Sequence, residues 1–278
     1  MTPVLLVTGT SSGIGLATAL AGARAGYRTV ATVRHPDRAD GLWAAAAEAG
    51  VELDVRRLDV TDPGSAETCV AEVVAAHGRL DAVVNNAGAG HVGTLELDDP
   101  AAVRATMEVN FFGVLAVSRA ALPHLRASRG HLVTISSVGG VVGQPFNEAY
   151  CAAKFAVEGY MESLAPVAAQ VGVRVAVVEP GAVASSFVAN AGLDVEGMLA
   201  AAGPYAPALT AYLARVTGHF ASAAQSPEDA AAAVLGVLTA TDPPFRTQTS
   251  ADARAFVAPK LADLDGSAVL GQTTTWVA

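Results

Sequence analysis

The sequence predicts an α/β fold, a single doubly wound parallel sheet with helices on both faces. Short apolar runs alternate with helix-like segments along most of the chain, the order expected when each helix carries the chain back for another parallel strand. The first run, Val4-Leu5-Leu6-Val7, is apolar at every position, which suits a strand covered on both faces. No repeat and no interdomain linker interrupts the pattern, so residues 1–278 are expected to form one domain.

Taken in order, Pro3 to Val7 is the first strand, followed by the turn Thr8-Gly9-Thr10-Ser11-Ser12-Gly13-Ile14-Gly15 and a helix from Leu16 to Arg24. Arg28 to Val33 is the second strand and Arg34-His35-Pro36-Asp37 the turn after it. Leu42 to Ala49 reads as helix and Val51 to Leu58 as strand, and Asp62-Pro63 places a cap and a first-turn proline at the next helix. Leu80 to Val84 is a fourth strand, ending in Asn85-Asn86-Ala87-Gly88. Between Pro100 and Ala127, Met107, Phe111, Val114, Leu115, Leu122 and Leu125 recur at helical spacing. His131 to Ile135 is the fifth strand, Tyr150 to Val171 a helix, and Val173 to Val178 a sixth strand stopped by Pro180-Gly181.

From Ala182 to Gln225 the alternation gives way to a Gly- and Ala-rich segment punctuated by Phe187, Val188, Leu193, Met198, Leu199, Tyr205, Leu209, Tyr212, Leu213 and Phe220. Its length and lack of a clear period predict a mobile substrate lid over about 185–225; subunit contact or ordinary core is the alternative for any one of these side chains. Ser226-Pro227-Glu228-Asp229 restarts a helix, and Phe245 to Thr249 is the last strand.

Composition narrows the function. At 278 residues with 52% apolar and 15% charged residues, the chain can bury a substantial core. A net charge of −9 without a Lys/Arg run argues against nucleic acid. Two cysteines, Cys69 and Cys151, make neither a disulfide framework nor a metal spacing. The first residues enter a strand pattern directly, and no window approaches eighteen uninterrupted apolar residues. The expectation is a cytoplasmic protein with no membrane span and no metal.

The stretch Ser137 to Lys154 carries the chemistry. Tyr150 and Lys154 are four residues apart and share one helix face. An ammonium about 4 Å from a phenol favours phenolate by roughly 4 kcal/mol at an effective dielectric near 20, which would bring the tyrosine toward working acid/base range. Ser137, thirteen positions earlier across a Gly-rich turn, can hydrogen-bond the same substrate oxygen.

Gly9 to Gly15 follows a strand and opens a helix, the context in which glycines and free N–H groups receive a pyrophosphate. Arg34 stands where an acid would read an NAD ribose, and a guanidinium there suits a 2′-phosphate. NADP(H) is therefore favoured over NAD(H), with an exposed solubilising Arg as the alternative. Asp59, beside Val60, lies at an adenine edge or is a turn carboxylate. The Asn pair ending at Gly88 can stitch strand ends together. Asn110, among Val109, Phe111 and Phe112, is a structural bridge or part of a polar relay. His91 and His219 receive no role, and Cys151 reads as a packing residue.

Thr-Gly-x-x-x-Gly-Ile-Gly, Asn-Asn-Ala-Gly, a helical Asn, a Ser thirteen residues before Tyr-x-x-x-Lys and a later Pro-Gly together resemble the short-chain dehydrogenase/reductase family over nearly the whole chain. The resemblance implies a Rossmann-type domain, a homodimer or homotetramer built on two long helices, and hydride transfer between a nicotinamide cofactor and a carbonyl/alcohol pair. By position it implies Tyr150 as acid/base, Lys154 lowering its pKa and holding the nicotinamide ribose, Ser137 rather than Ser136 polarising the carbonyl, and Asn110 holding a relay water. It assigns cofactor contacts to Gly9, Ser12, Gly13, Ile14, Gly15, Arg34, Asp59, Val60, Asn86, Ala87, Gly88, Pro180, Gly181, Val183 and Ser185, besides Tyr150 and Lys154.

Ala31-Thr32-Val33-Arg34 and Gly143-Gln-Pro-Phe-Asn-Glu-Ala-Tyr-Cys-Ala-Ala-Lys resemble the 17β-hydroxysteroid and retinol dehydrogenase branch. This implies a lipophilic substrate, polycyclic ones included, and an NADPH-dependent ketoreductase. A catalytically silent NADP(H)-binding regulator on the same fold is the competing class, and a dehydratase or epimerase a third.

Overall fold

The computed structural model describes residues 2–185, 194–262 and 275–276. Seven parallel strands form one sheet in the order β3-β2-β1-β4-β5-β6-β7: β1 Val4–Thr8, β2 Arg28–Val33, β3 Asp54–Arg57, β4 Ala82–Asn85, β5 His131–Ile135, β6 Arg174–Glu179 and β7 Arg246–Gln248. Every pairing is parallel, with Val7 opposite both Ala31 and Val84. The strand sequence runs outward one way from β1 to β3 and the other way from β4 to β7. The crevice between the carboxyl ends of β1 and β4 is thus the topological switch point, where open α/β sheets bind ligands.

Side-chain alternation explains why the central strands are largely apolar, whereas the edge strands β3 (Asp-Val-Arg-Arg) and β7 (Arg-Thr-Gln) are polar and only partly buried. Val4 and Leu6 join one core cluster while Leu5 and Val7 join another on the opposite face. The first cluster holds Val73, Val117, Leu125, Val157 and Met161. These come from α3 (Pro63–His77), α5 (Gly113–Ser128) and α6 (Glu148–Ala169). The second packs Val234, Val237 and Leu238 of α9 (Pro227–Thr239) on the sheet. On that side lie also α1 (Gly13–Arg24) and α2 (Asp40–Ala49), with Ala19 and Leu42 in a third cluster.

The polar starts of the helices follow the expected chemistry. Asp62 accepts from Gly64 N at 3.0 Å ahead of α3, with Pro63 in its first turn. Asp99 caps α4 (Pro100–Met107) by accepting from Ala101 N at 2.9 Å, and Ser226 caps α9 through Asp229 N at 3.0 Å. Each satisfies an N–H that the helix itself leaves open.

Three elements differ from the sequence expectation. The third strand begins only at Asp54 and ends at Arg57, so Asp59 lies two residues beyond it. The long helix expected from Pro100 is interrupted by a π-helical turn over Glu108–Phe112, centred on fully buried Asn110. The whole stretch Pro100–Ser128 is long and apolar enough to cross a bilayer, yet Val114, Val117, Ala121 and Leu125 are buried in the sheet's own core. The segment expected to lack period is largely helical between 195 and 223, as α7 (Val195–Ala201) and α8 (Ala206–Ala223), followed later by α10 (Ala251–Ala262). Phe187, Val188 and Leu193 of the expected lid lie outside the described residues.

Candidate active site

The Gly-rich turn is built by close approach of backbones at the switch point. Gly9 has φ +69°, and a Cβ there would stand 2.8 Å from Ala87 Cα. A Cβ on Gly15 would run into the Gly9 carbonyl and the Asn86 amide. Thr8 and Asn86 lock the two strand ends together. The Thr8 hydroxyl accepts from Asn86 N and Ala87 N, both at 2.9 Å, while Asn86 Nδ2 donates to the carbonyls of Thr8 and Gly9 at 2.9 and 3.0 Å. Ser12 is the N-cap residue of α1 but its side chain makes no capping bond, leaving the first N–H groups of a twelve-residue helix directed at the crevice. Ile14 is half-buried against the second core cluster. Ser185 leans over the turn, 3.1 Å from where a Gly13 Cβ would be.

At the sheet's other shoulder, Arg34 follows β2 and is exposed. Its charge reaches Asp59: burial raises that carboxyl's pKa, but hydrogen bonds from Thr61 and the positive charges of Arg34 and Arg57 hold it below the usual carboxylate value. Thr61 donates to Asp59 Oδ1 from both N and Oγ1, at 3.0 and 2.7 Å. Val60 is buried against Gly113, whose missing Cβ would stand 2.9 Å away.

The Ser137–Lys154 stretch folds back over the carboxyl ends of β4 and β5. Ser137 caps a short 3-10 turn, Val138–Gly140, by accepting from Gly139 N at 3.0 Å. Tyr150 stands in the first turns of α6, half-buried, with the Ser137 hydroxyl bonded to its phenol. Lys154, one turn on, is 4% exposed; Nζ donates to the Ile135 carbonyl at 2.9 Å and lies 5.8 Å from the Tyr150 ring centre.

The electrostatics depart from the sequence argument. Burial pushes the Tyr150 phenol up to about 12, with the Ser137 hydroxyl opposing it. Burial also draws Lys154 down to about 8, opposed by the charge of Glu158. The ammonium is aimed at a backbone carbonyl rather than at the phenol, so desolvation of the phenolate wins. At neutral pH the phenol therefore holds its proton while Lys154 remains mostly charged.

Asn110 ties the π turn to the loop after β4. Its Nδ2 donates to Ala89 O and Thr106 O, both at 2.9 Å, and its Oδ1 accepts from Ala89 N at 3.2 Å. Gly88 lies between it and the lysine: a Cβ there would stand 2.9 Å from Asn110 Oδ1 and 3.8 Å from Lys154 Nζ. Pro180 and Gly181 follow β6, and Val138 N donates to Pro180 O at 3.0 Å. Val183 is buried and bridges Gln225.

The sheet order and these strand-end residues have the pattern of one family, and residues 3–196 match the short chain dehydrogenase family. The chain belongs to the short-chain dehydrogenase/reductase family. It is 37% identical to human retinol dehydrogenase 8, an alignment covering 95% of this chain and 86% of that one. It is 35% identical to human 17-beta-hydroxysteroid dehydrogenase type 1, covering 95% and 82%. Among solved structures, a short-chain dehydrogenase from Streptomyces avermitilis is 30% identical with a TM-score of 0.77, covering 99% of this chain and 97% of that one. A metagenomic short-chain oxidoreductase in complex with NADP is 29% identical with a TM-score of 0.69, covering 88% and 96%.

Near the N-terminal end of α6, this short-chain dehydrogenase/reductase carries a cavity of about 140 Å³ bounded mainly by Val92, Leu97, Phe146, Met198 and Leu209, with Thr94 and Asp98 also in its wall. Phe146 adopts φ +56°, rare for a bulky residue, with its ring 5.5 Å from that of Tyr212 in α8. Asn147 and the Tyr212 hydroxyl hydrogen-bond, and Tyr205 Oη donates to Glu96 at 2.6 Å. His91 pairs with Asp98 at 3.1 Å, and His219 is exposed. Cys69 and Cys151 are buried, each thiol pushed up to about 11 chiefly by burial; both are in the protonated, unreactive form at neutral pH. Sequence reasoning missed Glu158, Glu179 and Arg246. The available signals were an acid one turn after Lys154 and another just before Pro180.

Proposed function

We propose that the chain is an NADP(H)-dependent oxidoreductase interconverting a ketone and a secondary alcohol on a lipophilic substrate. The observation that carries this is the convergence of Ser137, Tyr150 and Lys154 beside the crevice, with the serine hydroxyl bonded to a phenol that holds its proton. The side-chain-free cradle of Gly9, Gly13 and Gly15 at the start of α1 fits a pyrophosphate. The same cradle, with Ser12, Ala87, Pro180 and Ser185 around it, would hold a nicotinamide dinucleotide, which when bound supplies or accepts the hydride. Exposed Arg34 beyond β2 would pair with a 2′-phosphate, and the NADP-bound relative supports that choice.

In the reducing direction, the Ser137 and Tyr150 hydroxyls hydrogen-bond the ketone oxygen, where negative charge develops. Tyr150 gives its proton to that oxygen as the alkoxide forms; at neutral pH its phenol is in the protonated form that this step requires. Lys154, held by the Ile135 carbonyl 5.8 Å from the Tyr150 ring centre, places a positive charge beside the phenolate left behind. Asn110 fixes the loop carrying Gly88, the residue separating it from Lys154; a water held there would link the lysine to solvent. The mostly apolar wall of the cavity beneath α7 and α8 supports a lipophilic substrate, with that region as its lid.

The remaining proposals are a cytoplasmic location and a homodimer or homotetramer. Phe112, Phe155 and Tyr160 are 48%, 39% and 47% exposed on the long paired helices, an apolar surface of the kind that subunits cover.

Nicotinamide absorbance at 340 nm with a panel of bulky ketones tests the reading: NADPH oxidation is expected, whereas cofactor binding without turnover on any ketone would favour a silent regulator. Arg34→Asp should shift the NADPH:NADH kcat/KM ratio toward NADH by about tenfold or more, the loss of one charge-assisted pair. An unchanged ratio would mean Arg34 does not read the 2′-phosphate.

A further inference from the structure

Behind the proposed catalytic groups lies a buried charge cluster that the mechanism above does not use. Glu158 follows Lys154 by one turn of α6 and is 4% exposed; Glu179 ends β6, next to Pro180, and is 0% exposed. Arg246 of β7 reaches both, its Nε 3.2 Å from Glu158 Oε2 and 3.4 Å from Glu179 Oε1, while Nη2 pairs with Glu162 at 2.9 Å. Gln248 Nε2 donates to Glu179 Oε2 at 2.9 Å. The serine loop rests on the same carboxyl: a Cβ on Gly140 would stand 2.5 Å from Ser136 Oγ and 3.0 Å from Glu158 Cγ. Glu158 Oε1, Glu179 Oε1 and Ser136 Oγ are buried and make no well-formed hydrogen bond among the described residues.

Two buried carboxylates sharing one guanidinium are a costly way to brace a fold, since apolar side chains of similar volume do so without desolvating charge. Their location gives the charge a use. Lys154 is buried, and the negative charge that opposes its deprotonation is Glu158. We propose that Glu158, secured by Arg246, is a positioning residue that keeps Lys154 charged and seats the Ser136–Ser137 loop that follows β5. The proposal rests on Tyr150 and Lys154 being the catalytic pair.

The groups facing Glu158 are Lys154 and Glu162 on its own helix, Ser136 after β5, Glu179 from β6 and Arg246 from β7. Burial pushes Glu158 up to about 7; the Ser136 hydroxyl opposes the rise, the charge of Glu179 adds to it, and Arg246 opposes it. Across the alkaline range where Lys154 loses its proton, Glu158 is thus ionised and acts on it with full charge.

The test compares kcat–pH profiles for ketone reduction in Glu158→Gln, which keeps shape and removes charge, and Glu158→Asp, which keeps charge. The alkaline fall in kcat should begin about one pH unit lower in Glu158→Gln, as loss of a nearby unit charge requires. It should move by less than about 0.3 units in Glu158→Asp, and NADPH affinity should stay within about twofold in both. An unmoved alkaline limb in Glu158→Gln, or an equal shift in Glu158→Asp, overturns the proposal. A second readout needs neither variant nor cofactor: infrared difference spectra of the unmutated protein should show a buried carboxyl ionising at about pH 7. A buried carboxyl still protonated at about pH 8, where Lys154 loses its proton, overturns the proposal. Tyr150→Phe separates this inference from the reading beneath it. If that variant is inactive while Glu158→Gln behaves as wild type, only the role of Glu158 fails; if it stays fully active, the catalytic reading fails as well.

Discussion

Gly9 and Tyr150 mark the two kinds of residue in the site, one defined by backbone space and one by its electrostatic surroundings. Gly9 needs φ +69° and a gap that a methyl group would close against Ala87. Gly9→Ala should therefore cost ~1–3 kcal/mol of unfolding free energy in urea and weaken dinucleotide binding; an unchanged denaturation midpoint would contradict the close-packing argument. The need for glycine was legible because local spacing, strand before and helix after, implies the geometry. The charge states were not. Four-residue spacing placed Lys154 on the Tyr150 face, but the direction of the phenol's shift depends on burial by segments distant in the chain and on a lysine that bonds Ile135 O. The Glu158–Arg246 contact joins residues 88 positions apart, a pairing no local pattern announces.

Helix α6 ties chemistry to stability. Glu158 has a folded pKa of about 7 against an ordinary value of 4.5, so its contribution to stability is present below pH 4.5 and lost as pH rises through 7. Glu158→Gln removes that loss. Relative to wild type, the variant should be more stable at pH 8 than at pH 5 by roughly 2–3 kcal/mol, measured by urea denaturation at both pH values. A difference that does not change between them would mean Glu158 titrates like an exposed carboxyl. Stability gained together with the pH-dependent activity loss proposed above would mark Glu158 as a group kept for its charge. At this scale α1, β5 and α6 were legible from period and flanking glycines. The π turn at Glu108–Phe112 was not, because one extra residue per turn leaves the apolar spacing nearly intact. Helix α8 had a signal, Leu209, Tyr212, Leu213, Val216 and Phe220 at helical spacing, but surrounding Ala, Pro207 and Gly218 blurred it.

Across the whole molecule, sheet order decides where chemistry can occur. The reversal between β1 and β4 opens a crevice into which the glycine turn, Asn86, Ser137 and the start of α6 all project. Strand and helix alternation predicted the layered sheet, since its central strands, covered by helices on both faces, are apolar on both faces, as β1 shows. The cover beyond the sheet was less legible. Phe146, Ala202, Leu209, Tyr212 and Trp276 form a separate small core, built from parts of the chain that carry little pattern on their own. The most direct measurement on the assembled site is Tyr150→Phe, assayed for ketone reduction and, by nicotinamide fluorescence, for NADPH affinity. Removing the hydroxyl should lower kcat by at least ~10²-fold while the dissociation constant stays within about threefold; kcat retained at the wild-type level would contradict the assignment of Tyr150 as the proton donor.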